Sequence, residues 1–184
     1  MKKACVITLL AASALAACRG AYSEGARERN PGPCPAAYIL QDASRFVEFE
    51  GEPAAENIAW SGEMIAVRTT CRYFDDQPIR ARLKLEMAVG RGPAAEKRSQ
   101  KVTYFVAVTR RDRELIAKEE FTRTISTGEG NADIVIENID NIVIPRAKTT
   151  TSGTNFEIIV GFKLDREQAL YNRSGASLKF PDLQ

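Results

Sequence analysis

The chain has 184 residues, with 26 basic and 24 acidic side chains, four cysteines and no histidine. Hydrophobic residues make up 44% of it and charged residues 27%, which is typical of one globular domain and argues against a disordered or membrane-embedded chain. Without histidine the chain lacks the commonest general base and the commonest zinc ligand, so chemistry that depends on imidazole is excluded.

An export signal is predicted at the N-terminus. Lys2 and Lys3 precede an apolar run of 12 residues from Val6 to Ala17. As a helix this run would span about 18 Å, less than the ~30 Å hydrocarbon core, so it favours a signal peptide over a membrane span. The residues Leu15-Ala16-Ala17-Cys18 resemble the bacterial lipobox, which implies lipidation of Cys18, cleavage before it and acylation of the new amino group. The alternative is an ordinary secretory signal with a cysteine nearby by chance.

Cleavage would change the charge and leave a tethered domain. Residues 1–17 hold two basic side chains and no acidic ones, so residues 18–184 carry 24 of each sign and a net charge of zero. We therefore expect no nucleic-acid partner. Segment 18–33 is rich in Gly, Pro, Glu and Arg and is predicted to be a flexible tether. Arg19, where retention signals have aspartate, resembles outer-membrane sorting in enteric bacteria.

Two cysteines remain once Cys5 is assigned to the leader and Cys18 to the lipid. Cys34 and Cys71 form an even pair in an oxidising compartment, where a structural disulfide is the default. A redox pair or a metal site is the alternative. Redox pairs usually have Cys-x-x-Cys spacing, and two distant cysteines without histidine do not complete a tetrahedral zinc shell.

The rest of the chain shows a hydrophobic period of two. The clearest case is Pro78–Gly90, where apolar residues alternate with charged ones as in a half-buried antiparallel strand. Lys101–Arg110 is apolar on both faces and should be central, with a hairpin through 111–113 leading to the next strand. The other predicted strands are Ala37–Leu40 with Arg45–Glu50 as one interrupted strand, Ile58–Tyr73 with a bulge near Met64 and Ile65, Leu115–Ser126, Ala132–Ile144 and Asn155–Leu164.

These elements predict an all-β fold: an immunoglobulin-like antiparallel β-sandwich of about seven strands over 34–173, with a short C-terminal helix. A small closed β-barrel is the runner-up. Asp165 is the predicted N-cap of the helix, and Gln168 three residues later completes a capping-box pattern that ends near Asn172. Residues 174–184 are expected to be a loose tail.

Further segments accompany the lipobox: Cys34-Pro35 followed by Leu40–Arg45, then Thr70–Tyr73, Tyr104–Thr109, Ile159–Phe162 and Gln168–Asn172. Together they resemble a family of alphaproteobacterial single-domain envelope lipoproteins. The resemblance implies a lipid-anchored β-sandwich that faces the periplasm, and it implies no activity.

No catalytic residue, metal ligand or cofactor is predicted. Asp75 and Asp76 are sequence neighbours in a turn, whereas paired-carboxylate catalysis needs groups that face each other across about 5–10 Å. Serines occur without a nucleophile-elbow motif, and a Ser–Lys dyad would have to use one of several lysines (Lys97, Lys101, Lys118, Lys148 or Lys163). Four acidic residues lack calcium-loop spacing: Asp112, Glu129, Asp133 and Asp140.

Two remaining patterns are interpreted structurally. The basic run Arg91–Lys101 is expected to be a solvated loop, with contact to anionic lipid or a partner as its alternative. The aromatic residues Tyr104, Phe105, Phe156 and Phe162 are expected in the core rather than on a nucleic-acid stacking surface.

The sequence thus predicts a non-catalytic cell-envelope lipoprotein, anchored to the membrane through acyl chains on Cys18, that binds a protein partner in the periplasm. Exposed sheet edges would offer a route to that partner by strand addition. Two alternatives stay open: a lipid-anchored carboxylate-dependent hydrolase of envelope glycans, and a carrier of a small apolar ligand.

Overall fold

The computed structural model describes residues 32–112 and 114–179. The predicted signal peptide at 1–17, the lipidation site Cys18, nearly all of the tether and residues 180–184 lie outside these ranges. Among the described residues, no helix has the length and apolar character needed to cross a membrane.

Eight strands form two packed sheets of four. The first sheet has the order β1-β8-β5-β6 and the second the order β2-β3-β4-β7, so the predicted β-sandwich is confirmed and the described chain does not close into a barrel. One short helix, α1, follows the last strand. The bounds are β1 Ala36–Ile39, β2 Arg45–Phe49, β3 Ile58–Arg72, β4 Ile79–Arg91, β5 Ser99–Arg110, β6 Leu115–Ser126, β7 Ala132–Ile144, β8 Phe156–Phe162 and α1 Arg166–Arg173.

The core lies between the two sheets and follows the alternation of the sequence. In β4 every second residue from Ile79 to Val89 is buried, while the charged residues between them face solvent. In the opposite sheet, β5 lies between β8 and β6, which confirms its predicted central place. The aromatic residues Tyr104, Phe156 and Phe162 are buried in this core as expected, whereas Phe105 points to the outer face and is only partly covered.

The prediction of one interrupted strand over 37–50 is wrong. β1 pairs with β8 in the first sheet, in parallel, whereas β2 pairs with β3 in the second sheet. A 3-10 turn over Gln41–Ala43 moves the chain from one sheet to the other. The switch is tight: an added Cβ at Gly161 would lie 2.8 Å from the Cβ of buried Ala43, so β8 requires glycine there. The strand count is therefore eight.

The predicted bulge in β3 is confirmed, because the register with β4 shifts between Met64 and Ala66. Met64 stays buried, and the inserted residue Ile65 is 50% exposed. One extra residue lets β3 keep its apolar side chains inward on both sides of the bulge.

The C-terminal helix begins as predicted. The Asp165 carboxylate accepts a hydrogen bond from the Gln168 amide (2.8 Å), and the Gln168 side chain accepts one from the Asp165 amide (3.1 Å). The Asn172 side-chain amide donates to the carbonyl oxygens of Asp42 and Arg45, so the helix packs on the sheet-switching turn. The loose-tail prediction needs correction for its first residues, because Ala176–Lys179 forms a 3-10 turn in which Ser177 is buried.

Candidate functional site

The predicted disulfide is present between Cys34 and Cys71, with the two Cα atoms 5.5 Å apart. It joins the segment before β1 to the end of β3. Because Cys71 lies between the outward-facing Thr70 and Arg72, the bridge fixes the N-terminal segment beside one end of the second sheet.

Hydrogen bonds strengthen this attachment. The Thr69 hydroxyl donates to the Pro35 carbonyl (2.8 Å), and the Tyr73 hydroxyl donates to the Pro33 carbonyl (2.9 Å). The Tyr73 oxygen also accepts a hydrogen bond from the Gly153 amide (2.7 Å). A Cβ at Gly153 would lie 2.5 Å from the Pro33 carbonyl oxygen, so only glycine allows this close approach. The chain therefore enters the domain at a fixed point beside the end of β3.

A basic face covers the outer surface of the second sheet next to that entry point. Alternation on β3 and β4 points five basic side chains and Glu86 outward, and Asp140 of the neighbouring β7 adds a second acidic one. An open depression of about 510 Å³ lies at its end and includes the half-exposed ring of Phe74. We define the basic face as Arg68, Arg72, Arg80, Arg82 and Lys84.

The register places like charges opposite each other on this face. Arg72 is the direct partner of Arg80, and Arg68 is the direct partner of Lys84, an arrangement that destabilises a sheet. The Glu86 carboxylate accepts a hydrogen bond from the Lys84 ammonium group (2.9 Å), and that hydrogen bond lowers the pKa of the Glu86 carboxyl. Arg72 has no ion pair or side-chain hydrogen bond with any other residue in the described ranges. The face therefore keeps positive charge that the fold does not neutralise.

A second feature is the side of the sandwich where β6 and β7 end the two sheets. β7 pairs with β4 and β6 pairs with β5, and the sheet order leaves the other side of each strand without a neighbour in the described chain. β7 exposes Ile134 by 62% and Ile136 by 51%, and it carries acidic residues but no lysine or arginine. We call β7 and the groove beside it the open edge.

The groove of the open edge has a volume of about 320 Å³ and an apolar floor. It is lined on the inner side by Val106, Val108 and Phe121 and on the β7 side by Ile139 and Ile142. This volume is at the low end of the range for ligand pockets, so the groove is better suited to the side chains of a peptide than to a drug-sized molecule.

A polar bridge joins the two sheets beside this groove. Glu137 of β7 is buried and accepts one bifurcated hydrogen bond from the Arg123 Nε–H (3.0 and 2.9 Å to its two oxygens) and one hydrogen bond from the Tyr104 hydroxyl (3.1 Å). Burial, and then the negative charge of Glu137, raise the pKa of the Tyr104 hydroxyl, so it stays a hydrogen-bond donor. Sequence reasoning missed this bridge, although Glu137 occupies an inward position between Val135 and Ile139.

Among the carboxyl groups of the described residues, that of Glu48 has a raised pKa. Burial raises it most, the charge of Glu50 adds to the effect, and a hydrogen bond donated by Gln100 (2.5 Å) partly opposes it. Asp165 and Glu167 line the same depression of about 440 Å³. The Asp165 carboxylate, however, caps α1, so the depression offers one perturbed carboxyl rather than a facing pair.

The other residues that the sequence singled out are dispersed. Asp75 and Asp76 lie exposed in the turn between β3 and β4, as predicted. Lys118 and Lys163 both pair with Glu120 on the outer surface of the first sheet. No group of three or more Cys, Asp or Glu side chains that could bind a metal ion occurs within 32–112 and 114–179.

No protein-family model and no curated protein matches this chain. Among solved structures it is similar to the variable (V) domain of the AgI/II polypeptide BspA of Streptococcus agalactiae. The sequence identity is 12% and the TM-score is 0.23, with 66% of this chain and 74% of that chain covered. A similarity this weak carries no argument about what the protein does.

Proposed function

We propose that the protein is a non-catalytic interaction module of the bacterial cell envelope, anchored by acyl chains on Cys18, which binds a partner protein by strand addition at the open edge. The observation that supports this most is β7 itself. It is a 13-residue edge strand that exposes two isoleucines and lacks the basic residues that commonly protect edges.

The other long edge strand provides the contrast. β6 carries Lys118 and Arg123, and Lys118 forms an ion pair with Glu120. Charged side chains, lysine above all, discourage pairing of an edge with another chain. β7 lacks this protection along Ala132–Ile139, where its register with β4 is unbroken, and a bulge at Asp140 and Asn141 ends the regular segment.

The geometry of a strand also defines the chemistry of the partner. Side chains of an added strand would alternate between the outer face, beside Ile134 and Ile136, and the inner face, beside Val135 and Glu137. Asp133, an acidic residue within the regular segment of β7, favours lysine or arginine at the position opposite it. We expect an extended segment in which apolar and basic residues alternate.

The test replaces Ile134 and Ile136 with lysine in the full chain and measures how much of the membrane-extracted protein migrates in a larger assembly. Ile134→Lys with Ile136→Lys should abolish the assembly, because two lysines block strand addition. Leu115→Lys is the matched control, since Leu115 is an exposed apolar residue (58%) on the other edge strand. Equal behaviour of the two variants would contradict the proposal.

The two alternatives have less support. A carboxylate-dependent hydrolase requires two facing carboxyls, and the depression beside Glu48 supplies one perturbed group beside a helix cap. A carrier of an apolar ligand requires an interior cavity, whereas in the described residues the buried side chains of β3, β4, β5 and β8 pack into one cluster between the sheets.

A further inference from the structure

The basic face and the entry point of the N-terminal segment lie at the same end of the sandwich, on the outer and inner surfaces of the second sheet respectively. Residues 33–35 are fixed beside Thr69–Tyr73 by the disulfide and by two hydrogen bonds, and Arg72 is the sequence neighbour of the bridged Cys71. The outward side chains of that same stretch of β3 belong to the basic face.

The length of chain before this point limits where the domain can be. Thirteen residues separate Cys18 from Gly32, and a chain of that length reaches at most about 50 Å when fully extended. β3, with 15 residues, is itself about 50 Å long. A lipid on Cys18 would therefore keep the entry end of the sandwich within about 50 Å of the bilayer.

From this coincidence we propose that the basic face docks the domain on a membrane surface that contains anionic phospholipid. This step rests on the lipid anchor of the proposed function. Five basic side chains against two acidic ones give the face an excess of three positive charges, part of which the exposed Asp75 and Asp76 of the adjoining turn offset. Each basic residue near an anionic surface strengthens binding about fivefold. Phe74, 48% exposed, supplies an aromatic ring for the interface.

The regular half of β7 lies toward the end of the sheet opposite the entry point. Ala132, where β7 begins, pairs with Gly90 at the far end of β4, whereas Ile144 pairs with Ile79 at the end that carries the basic face. The exposed pair Ile134 and Ile136, opposite Ala88 and Glu86, thus lies on the half of the sheet away from the entry point. The two surfaces meet at Asp140 of β7, which forms an ion pair with Arg82 of the basic face.

The test uses the acylated full chain with Phe74→Trp, reconstituted into vesicles whose acyl chains are brominated and quench nearby indoles. Vesicles contain phosphatidylcholine alone or mixed with phosphatidylglycerol. We expect the tryptophan at position 74 to be quenched in the vesicles that contain phosphatidylglycerol and not in those of phosphatidylcholine alone. Salt should reduce the quenching in the anionic vesicles. Trp60 is buried and supplies the background in the unsubstituted chain. Val143→Trp, opposite Arg80, gives a second reporter.

Matched charge variants identify the surface. Arg72→Gln with Arg82→Gln should reduce quenching to the zwitterionic level, whereas Lys97→Gln with Arg98→Gln, which removes two charges from the exposed loop at the opposite end, should leave it unchanged. Equal quenching in both vesicle types would overturn docking by this face, and it is also the result expected if the face binds an acidic protein instead of lipid. Equal loss of quenching in both double variants would overturn it as well. An intact mass without acyl groups would instead contradict the anchor.

Discussion

Glu137 is a charged side chain at a core position, and its hydrogen bonds with Arg123 and Tyr104 explain how the fold tolerates it. The side chain is only 11% exposed, while its partner Arg123 remains 51% exposed and reaches in from the rim. A bridge of this kind adds little net stability over an apolar pair. It also closes the gap between β6 and β7 at one point and leaves the neighbouring groove open.

Glu48 leads to a prediction about pH. Its raised pKa means that the folded state binds a proton more strongly than the unfolded state, so this group lowers stability as pH rises above the unfolded value of about 4.3. Glu48→Gln should therefore increase the free energy of unfolding at pH 7, by an amount that is reduced because water screens the half-buried carboxylate. Urea unfolding at pH 7 and pH 4 would show the gain at the higher pH only.

The control for this prediction is Glu56→Gln, which removes an exposed carboxylate from the nearby connection between β2 and β3. It should leave the urea midpoint unchanged at both pH values. A Glu48→Gln variant that is less stable at pH 7 would show that the charged hydrogen bond from Gln100 outweighs the cost of burial.

The single helix depends on its cap. Asp165→Ala removes the acceptor for the Gln168 amide and should cost about 1 kcal/mol of helix stability. Because Asn172 attaches α1 to the sheet-switching turn, fraying should increase amide hydrogen exchange in both 166–173 and 41–43. Arg166→Ala, an exposed change in the same turn, should have no such effect, and unchanged exchange in Asp165→Ala would contradict the role of the cap.

Sequence patterns predicted the individual strands and the helix better than they predicted which strands pair with each other. The alternation of Ile79 to Val89 predicts β4 and its buried face, and the Asp165–Gln168 pattern predicts the start of α1. The pairing of β1 with β8 was not predictable, because four residues of β1 join a strand near the other end of the chain. Local patterns contain no information on such a distant neighbour.

The candidate sites show the same limit. Arg80 and Arg82 alternate visibly along β4, but only the register with β3 places Arg72 opposite Arg80 and creates the basic face. The open edge depends on which strands end the sheets, a property of sheet order alone. Glu137 is the exception, since an inward-facing acid within an isoleucine-rich strand indicates a buried partner.

The disulfide acts on the whole domain. It closes 37 residues that include the passage between the two sheets, and the loop-entropy model gives such a closure about 3–4 kcal/mol. Cys34→Ser with Cys71→Ser should lower the free energy of unfolding by that amount, measured with urea. Recovery of Cys34 and Cys71 as free thiols in non-reducing peptide mapping of the natural protein would contradict the pairing.

At the level of the molecule, the entry point and basic face lie at one end of the sandwich, while the regular half of β7 lies toward the other. In the docked orientation proposed above, the regular half of β7 would face away from the membrane, toward a partner protein. Cys18→Ala should release the full chain from membranes in cell fractionation, and continued retention would contradict the anchor.

The most direct test of strand addition is photocrosslinking in intact cells with a photoreactive amino acid in place of Ile136, compared with the same replacement of Leu115. Both side chains are exposed and apolar on edge strands, but only Ile136 belongs to the open edge. We expect a discrete adduct with a second protein from position 136 and none from position 115. No adduct from position 136, or the same adduct from both positions, would contradict strand addition at the open edge.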